Sequence, residues 1–214
     1  MPSAMNFNSL QQDVRAYIER GGSADETVYA QIPKLINLAE RAIATALKIE
    51  GFINIVTSDL NSGDSIYQKP DRWRSTVSMS FGVGTDQRRV PLFPRSYEYA
   101  RAYWPTSSEV GVPRFYSEMS YNQWLITPTP DSSYPWEVIF YEQPAMLEDA
   151  NQTNWLTDYL PNALLYRSLL EAAPFLKSDE RIATWKGFYD EAINAVNVQD
   201  LRKVVDRNVT RKEA

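Results

Sequence analysis

Apolar residues recur at two different periods along this chain, and the change of period divides it. Over residues 9–20, Leu10, Val14, Tyr17 and Ile18 fall on one face of a helix, with a capping box read from Ser9 to Gln12 and a stop at Gly21-Gly22. A longer helix is predicted over 31–48. Ile32, Leu35, Ile36, Ala39, Ile43, Ala46 and Leu47 form its stripe, Pro33 sits in its first turn and Gly51 ends it. From 52 to 144 the period falls to two. Val77, Met79 and Phe81 alternate with Ser and Thr, 88–93 makes a short strand, and Trp136, Val138 and Phe140 share one face of a strand at 136–141. Residues 115–119 and 123–127 flank Ser120-Tyr121-Asn122 in the manner of a hairpin, and Ser96 caps a brief helix that stops before Pro105. The helical period then returns over 153–196. Leu165, Leu169, Ala173 and Leu176 form one stripe; Ile182, Trp185, Tyr189, Ile193 and Val196 form a second. Ser178 reads as the N-cap of the second helix, ahead of Asp179 and Glu180, and Lys177-Ser178 leaves room only for an antiparallel turn.

Two such stripes need more apolar surface than they offer each other. The expected fold is therefore α+β: an antiparallel helical bundle built from the N- and C-terminal helices (5–50 and 153–197, one discontinuous domain), an inserted antiparallel β-rich domain over 51–152, and an extended C-terminal tail over 198–214. In that tail the stripe fades. Val198, Leu201 and Val205 are spaced for a short amphipathic helix, and Arg202, Lys203, Arg207, Arg211 and Lys212 stand against Asp206 and Glu213.

Composition narrows the chemistry. The 214-residue chain contains no Cys and no His, which removes disulfides, thiolate metal sites and every histidine-based triad or general base. Its net charge of -5 works against nucleic-acid binding. The first residues show neither a basic region nor an apolar core, so no signal peptide is expected, and no apolar run reaches the length of a membrane span. Gly82-Val83-Gly84 lacks the Lys-Ser/Thr of a phosphate loop and reads as a turn; the run Asp59 to Asp64 lacks the acidic spacing of a calcium loop. Neither cofactor nor metal is expected. The paired carboxylates Glu148-Asp149 and Asp179-Glu180 would suit hydrolysis only if they faced a cleft together, and as sequence they read as a solvated loop and a favourable helix start.

The chain has 13 Tyr and 6 Trp, and its middle is where they bear on function. Tyr97, Tyr99, Trp104, Tyr116, Tyr121 and Trp124 lie among Arg88, Arg89, Arg95, Arg101 and Arg114, with Glu98, Glu109 and Glu118 interspersed. Three readings stand: the core of a β-domain, a protein interface anchored by Tyr, Trp and Arg, or a sugar-stacking platform.

The ordered set of segments resembles a known family. Ile32-Pro33-Lys34-Leu35-Ile36-Asn37-Leu38-Ala39-Glu40-Arg41, Pro113-Arg114-Phe115-Tyr116, Thr127-Pro128-Thr129-Pro130-Asp131, Thr153-Asn154-Trp155-Leu156, Tyr159-Leu160-Pro161-Asn162-Ala163-Leu164-Leu165-Tyr166, Glu171-Ala172-Ala173 and Trp185 are similar in kind and order to the head-to-tail adaptors of tailed bacteriophages, the tail tubular protein A-like group. That resemblance implies a structural virion protein without catalytic residues. It would form a ring with itself, a dodecamer, at the head–tail junction, after spending assembly in the host cytoplasm. Its partners would be the portal protein and the tail nozzle or tube protein, with double-stranded DNA passing through the channel without specific binding and no membrane involved. Val198, Leu201, Arg202, Lys203, Val205, Arg207, Arg211 and Lys212 would then order on the portal. Tyr97, Tyr99, Trp104, Tyr116, Tyr121 and Trp124 would face a neighbouring subunit or the tail. The alternatives are a carbohydrate-binding tail or fibre module that stacks sugars on Trp104 and Trp124, and a carboxylate hydrolase using Glu148 and Asp149.

Overall fold

The structure, a computed structural model, describes residues 5–19, 26–47, 50–82, 88–175 and 180–207. In chain order the elements are α1 (Phe7–Ile18), α2 (Glu26–Ala46), β1 (Ile53–Leu60), β2 (Ile66–Gln68), β3 (Trp73–Phe81), β4 (Val90–Pro94), α3 (Tyr97–Tyr103), β5 (Val110–Gly111), β6 (Phe115–Ser120), β7 (Gln123–Thr127), β8 (Thr129–Pro130), β9 (Tyr134–Glu142), α4 (Trp155–Tyr159), α5 (Pro161–Ala172) and α6 (Arg181–Arg207). They form two compact units, one from 1–52 with 144–214 and one from 53–143.

In the helical unit α5 is the hub, packing against α1, α2, α4 and α6. Pro161 opens it at a position where the missing N–H costs nothing. Its central place explains why Ala163, Leu164, Leu165, Ser168, Leu169 and Ala172 are all buried, a wider face than a single stripe. Ser168 is satisfied there by donating to the Leu164 carbonyl at 2.7 Å. α1 contributes Phe7, Leu10, Val14 and Ile18; α2 contributes Ile32, Leu35, Ile36, Ala39, Ile43 and Ala44. α6 runs antiparallel to α5: the Tyr166 and Phe188 rings lie 5.1 Å apart, the Arg167 guanidinium lies over Tyr189, and Asn162 lines a groove with Ala192 and Ala195. Of the expected α6 stripe only Trp185 is fully buried; Ile182, Tyr189, Ile193 and Val196 are half-buried.

The second unit is a seven-stranded sheet in the order β1-β9-β3-β4-β6-β7-β2, with a separate parallel pair β5-β8. The sheet curls. β2 and β9 are far apart in strand order, yet the Tyr67 and Trp136 rings are 5.3 Å apart and the Trp124 and Trp136 rings 5.9 Å. The concave side holds the core, with Trp73, Met79, Phe81, Leu92, Trp124, Ile126, Trp136, Val138 and Phe140 among its members. Lys69 reaches into the sheet: its side chain is 1% exposed, its ammonium pairs with Glu118, donates to the Ser120 carbonyl and lies 3.5 Å above the Trp73 ring.

Several expectations need correction. The described residues form a mixed α+β protein, with six α-helices and a curled seven-stranded mixed sheet, and not an antiparallel helical bundle carrying an antiparallel β-rich insertion. The sheet is mixed because β4 and β6 pair in parallel, Phe93 beside Phe115, since α3 carries the chain back across between them. The C-terminal stretch is not extended from 198: α6 continues through Arg207. The cap of α1 is Asn6, whose Oδ1 accepts from Ser9 N at 2.8 Å, so Ser9 is the third helical residue, and Glu19 in the left-handed region closes the helix. Gly21-Gly22, Leu176, Lys177-Ser178 and Asp179 lie outside the described residues. α2 begins at Glu26, which puts Pro33 in its interior, and it ends at Ala46. Val77 does not share a face with Met79 and Phe81. A register shift between Thr76 and Ser78 against β9 leaves Val77 on the bulge, which reverses the alternation at that point.

Candidate interaction surfaces

The sheet unit presents an exposed ridge of aromatics and arginines. It starts from local structure: Ser96 Oγ accepts from Tyr99 N at 3.2 Å and caps α3. One turn of that helix places Tyr99 and Tyr103 on one face, with ring centroids 4.7 Å apart. Phe115 of β6 lies edge-on to Tyr99 at 6.0 Å, and Trp104 lies 5.8 Å from Phe115. The Arg95 guanidinium sits over both Phe115 and Tyr99, at 5.1 and 5.6 Å. Arg101 covers the Tyr97 ring, and its Nε donates to Tyr97 Oη at 3.3 Å. Phe93 stands beside Phe115 in the parallel register and is 54% exposed; Tyr103 is 63% exposed.

Among the described residues, neither Arg95 nor Arg101 has an ion pair, whereas Arg72 pairs with Glu142, Arg89 with Glu137 and Lys69 with Glu118 in the same unit. The six aromatics singled out from the sequence thus divide. Tyr99 and Trp104 belong to the ridge, whereas Tyr97, paired with Arg101, lies on the other flank of α3. Trp124, 1% exposed, and Tyr116 are core residues. Tyr121, 82% exposed, tips the β6–β7 turn and meets the edge of Trp73. Phe93 was missed, and Tyr103, inside the aromatic segment 97–104, was not singled out although its spacing of four from Tyr99 was an available signal.

The helical unit holds a buried carboxylate that periodicity alone passed over. Glu40 is fully buried on α2. Leu147 N donates to it at 3.1 Å, Asn154 Nδ2 at 2.6 Å and Asn37 Nδ2 at 3.3 Å. Burial pushes its carboxyl up to about 7, against the opposing pull of the Leu147 and Asn154 hydrogen bonds and the Arg41 charge. The signal was there: Glu40 lies four residues after Ile36 and three before Ile43, on the apolar face. Its acceptor positions are filled by N–H groups of the fold itself, so it serves structure and is closed to substrate.

Beside it a groove of about 520 Å³ is lined by Phe7, Pro33, Lys34, Asn37, Leu38, Arg41, Leu147, Glu148 and Asp149. Glu148 and Asp149 lie in a turn closed by reciprocal backbone bonds between Glu148 and Asn151, both 3.0 Å. Among the described residues neither carboxylate forms an ion pair, and no cluster of three or more acidic residues is placed to hold a metal. Gly82 takes a left-handed φ of 84°, a turn conformation, and Tyr67 Oη donates to the Asn61 and Asp64 carbonyls, closing the 59–64 loop on itself. Val198, Leu201, Arg202, Lys203, Val205 and Arg207 lie on the last turns of α6; Arg211 and Lys212 lie outside the described residues. No described helix is long and apolar enough to cross a membrane.

No curated protein matches the sequence significantly. The SU10 adaptor protein family matches residues 5–211, nearly the whole of both units. With a match of that extent, the chain belongs to the SU10 adaptor family, a family of phage head–tail adaptors and structural virion components.

Proposed function

We propose that the protein assembles into a ring, twelve-fold as in the adaptors it resembles, between the portal and the tail nozzle or tube of a tailed phage. There it extends the DNA channel and forms the seat on which the tail is built. The observation that carries the reading beyond adaptor membership is the exposed aromatic–arginine ridge. A row of Tyr, Trp, Phe and Arg at the surface has the composition of interface anchors, and Arg95, which has no ion pair among the described residues, is open to a carboxylate from another chain. The C-terminal end supplies the portal contact in this reading: Val198, Leu201 and Val205 as apolar anchors on α6, and Arg202, Lys203, Arg207, Arg211 and Lys212 against acidic groups of the portal. The net charge of -5 suits a channel through which DNA slides without being held. Buried Trp124 takes away one of the two tryptophans on which a sugar-stacking module would rest.

Native mass measurement of the purified protein, alone and mixed with the portal encoded by the same genome, tests the reading. A twelve-copy layer on the portal is the expected result. A monomer that ignores the portal across several salt concentrations overturns it.

A further inference from the structure

The two ends of the seven-stranded sheet are built differently. β2, at one end, has three residues. β1, at the other, has eight and pairs with β9 in one unbroken register; among the described residues it has no second neighbour. The antiparallel ladder fixes which of its backbone groups face outward. The Ile55 N–H donates to the adjacent Asn54 Oδ1 at 2.8 Å. Gly82 N donates to the Pro135 carbonyl, so Pro135, which stands opposite Asp59, points toward β3 and not toward β1. Alternation then turns the N–H and C=O groups of Ile55, Thr57 and Asp59 away from β9. Among the described residues, the bond to Asn54 is the one hydrogen bond these groups make. Sheets usually guard such an edge with proline, lysine, a bulge or a covering segment. β1 holds no Pro, Lys or Arg, and 54–59 are all exposed. Ile55 is 54% exposed on one face and Val56 37% on the other, and the one charge of the strand, Asp59, has no ion pair among the described residues.

We propose that the outer edge of β1 seats an extended segment of a different virion protein, which joins the sheet as an eighth strand. A row of outward N–H and C=O groups repeating about every 7 Å is matched by another extended backbone, and the side chains that alternate along it set the choice of segment. The chemistry called for is apolar, β-branched residues beside Ile55 and Val56 and a Lys or Arg beside Asp59. A second copy fits the edge less well. Its β2 is too short to match eight residues, and β1 against β1 makes two-fold pairs, not the head-to-tail contacts of a ring. In that exclusion alone the inference rests on the ring reading above.

The probes are overlapping synthetic peptides covering the other virion proteins of the same genome, titrated against the full chain by fluorescence anisotropy. Two variants remove the edge. Thr57→Pro deletes an outward N–H and leaves the bonds to β9 in place. Ile55→Lys puts a guarding charge on the strand. Circular dichroism and thermal melting check that both are folded. The expected result is a peptide of the stated pattern that binds wild type and is weakened about tenfold or more by each variant. On binding, the amides of Ile55, Thr57 and Asp59 should gain protection from hydrogen exchange, while those of Asn54, Val56 and Ser58, already bonded to β9, change little. Side-chain packing alone does not produce that alternation. If no peptide binds wild type, or if binding survives both variants and protects none of the outward amides, the proposal is overturned. A wild-type dimer that Thr57→Pro dissolves assigns the edge to a second copy and overturns it too. A chain that binds the peptide in this way but never forms a ring overturns the ring reading and leaves this inference standing.

Discussion

Asn154 donates from Nδ2 to Glu40 Oε1 at 2.6 Å while its Oδ1 accepts from the backbone N–H of Leu156 and Thr157. One amide therefore caps α4 and satisfies a buried carboxylate on α2, 114 residues away in sequence. The short amide does both because its oxygen faces the helix end while its nitrogen faces the carboxylate. Asn154→Ala leaves an orphaned cap and an under-satisfied Glu40, and should cost about 2–4 kcal/mol in urea denaturation. Asn154→Asp keeps a good cap but sets a second carboxylate against Glu40. At pH 8 it should cost at least as much as Asn154→Ala, despite the better cap.

Glu40 makes stability depend on pH. Its folded carboxyl titrates at about 7 against an ordinary value of 4.5, so the folded chain holds a proton that the unfolded chain releases. The stabilisation is fully present below pH 4.5 and is lost as pH rises toward and through 7, by at most about 3 kcal/mol. Urea midpoints at pH 5 and pH 8 should show this fall for wild type and a flatter profile for Glu40→Gln. Glu40→Ala should be destabilised at both pH values by about 2–4 kcal/mol, because the Leu147 and Asn154 donors lose their acceptor.

Gly51 is required by a neighbour rather than by its own backbone. A Cβ at that position would fall inside the Trp155 ring, which is stacked on Tyr159 and edge-on to Phe52. Gly51→Ala should force Trp155 out of its place and cost about 1–3 kcal/mol, read as a lower melting temperature and altered tryptophan fluorescence.

Lys69 behaves as part of the sheet core. Lys69→Ala removes a buried cation from the Trp73 face, deprives Glu118 of its partner and leaves a void near Trp124, at an expected cost of about 2–4 kcal/mol. Lys69→Met refills the volume without the charge and should cost under about 1.5 kcal/mol by the same denaturation assay.

Truncation after Val196 removes the end of α6 and all eight residues proposed to meet the portal. The expected outcome is loss of co-migration with the portal in size-exclusion chromatography, with the melting temperature nearly unchanged, since Trp185, the one fully buried described residue of α6, is retained. Attachment that survived the truncation would move the portal contact elsewhere.

The sequence by itself determined where the chain changes from helical to extended and back, because the side-chain period of each stretch is local. The stripes of α1 and α2, the alternation of Trp136, Val138 and Phe140, the β6–β7 hairpin and the Ser96 cap all depend on residues within a turn or two of one another. The adaptor family was legible too, because its segments recur in order along the chain. What lay beyond the sequence was the pairing of segments distant in the chain. The parallel β4–β6 contact, the bulge that turns Val77 outward and the curl that brings Tyr67 to Trp136 arise only when strands from 66 to 142 meet. That curl is also what buries Trp124 and leaves Tyr103 outside, two aromatics that composition cannot tell apart. Glu40 shows the same division. Its place on the apolar face is written in the spacing of α2, but its donors come from Leu147 and Asn154, and only the folded helical unit brings them there.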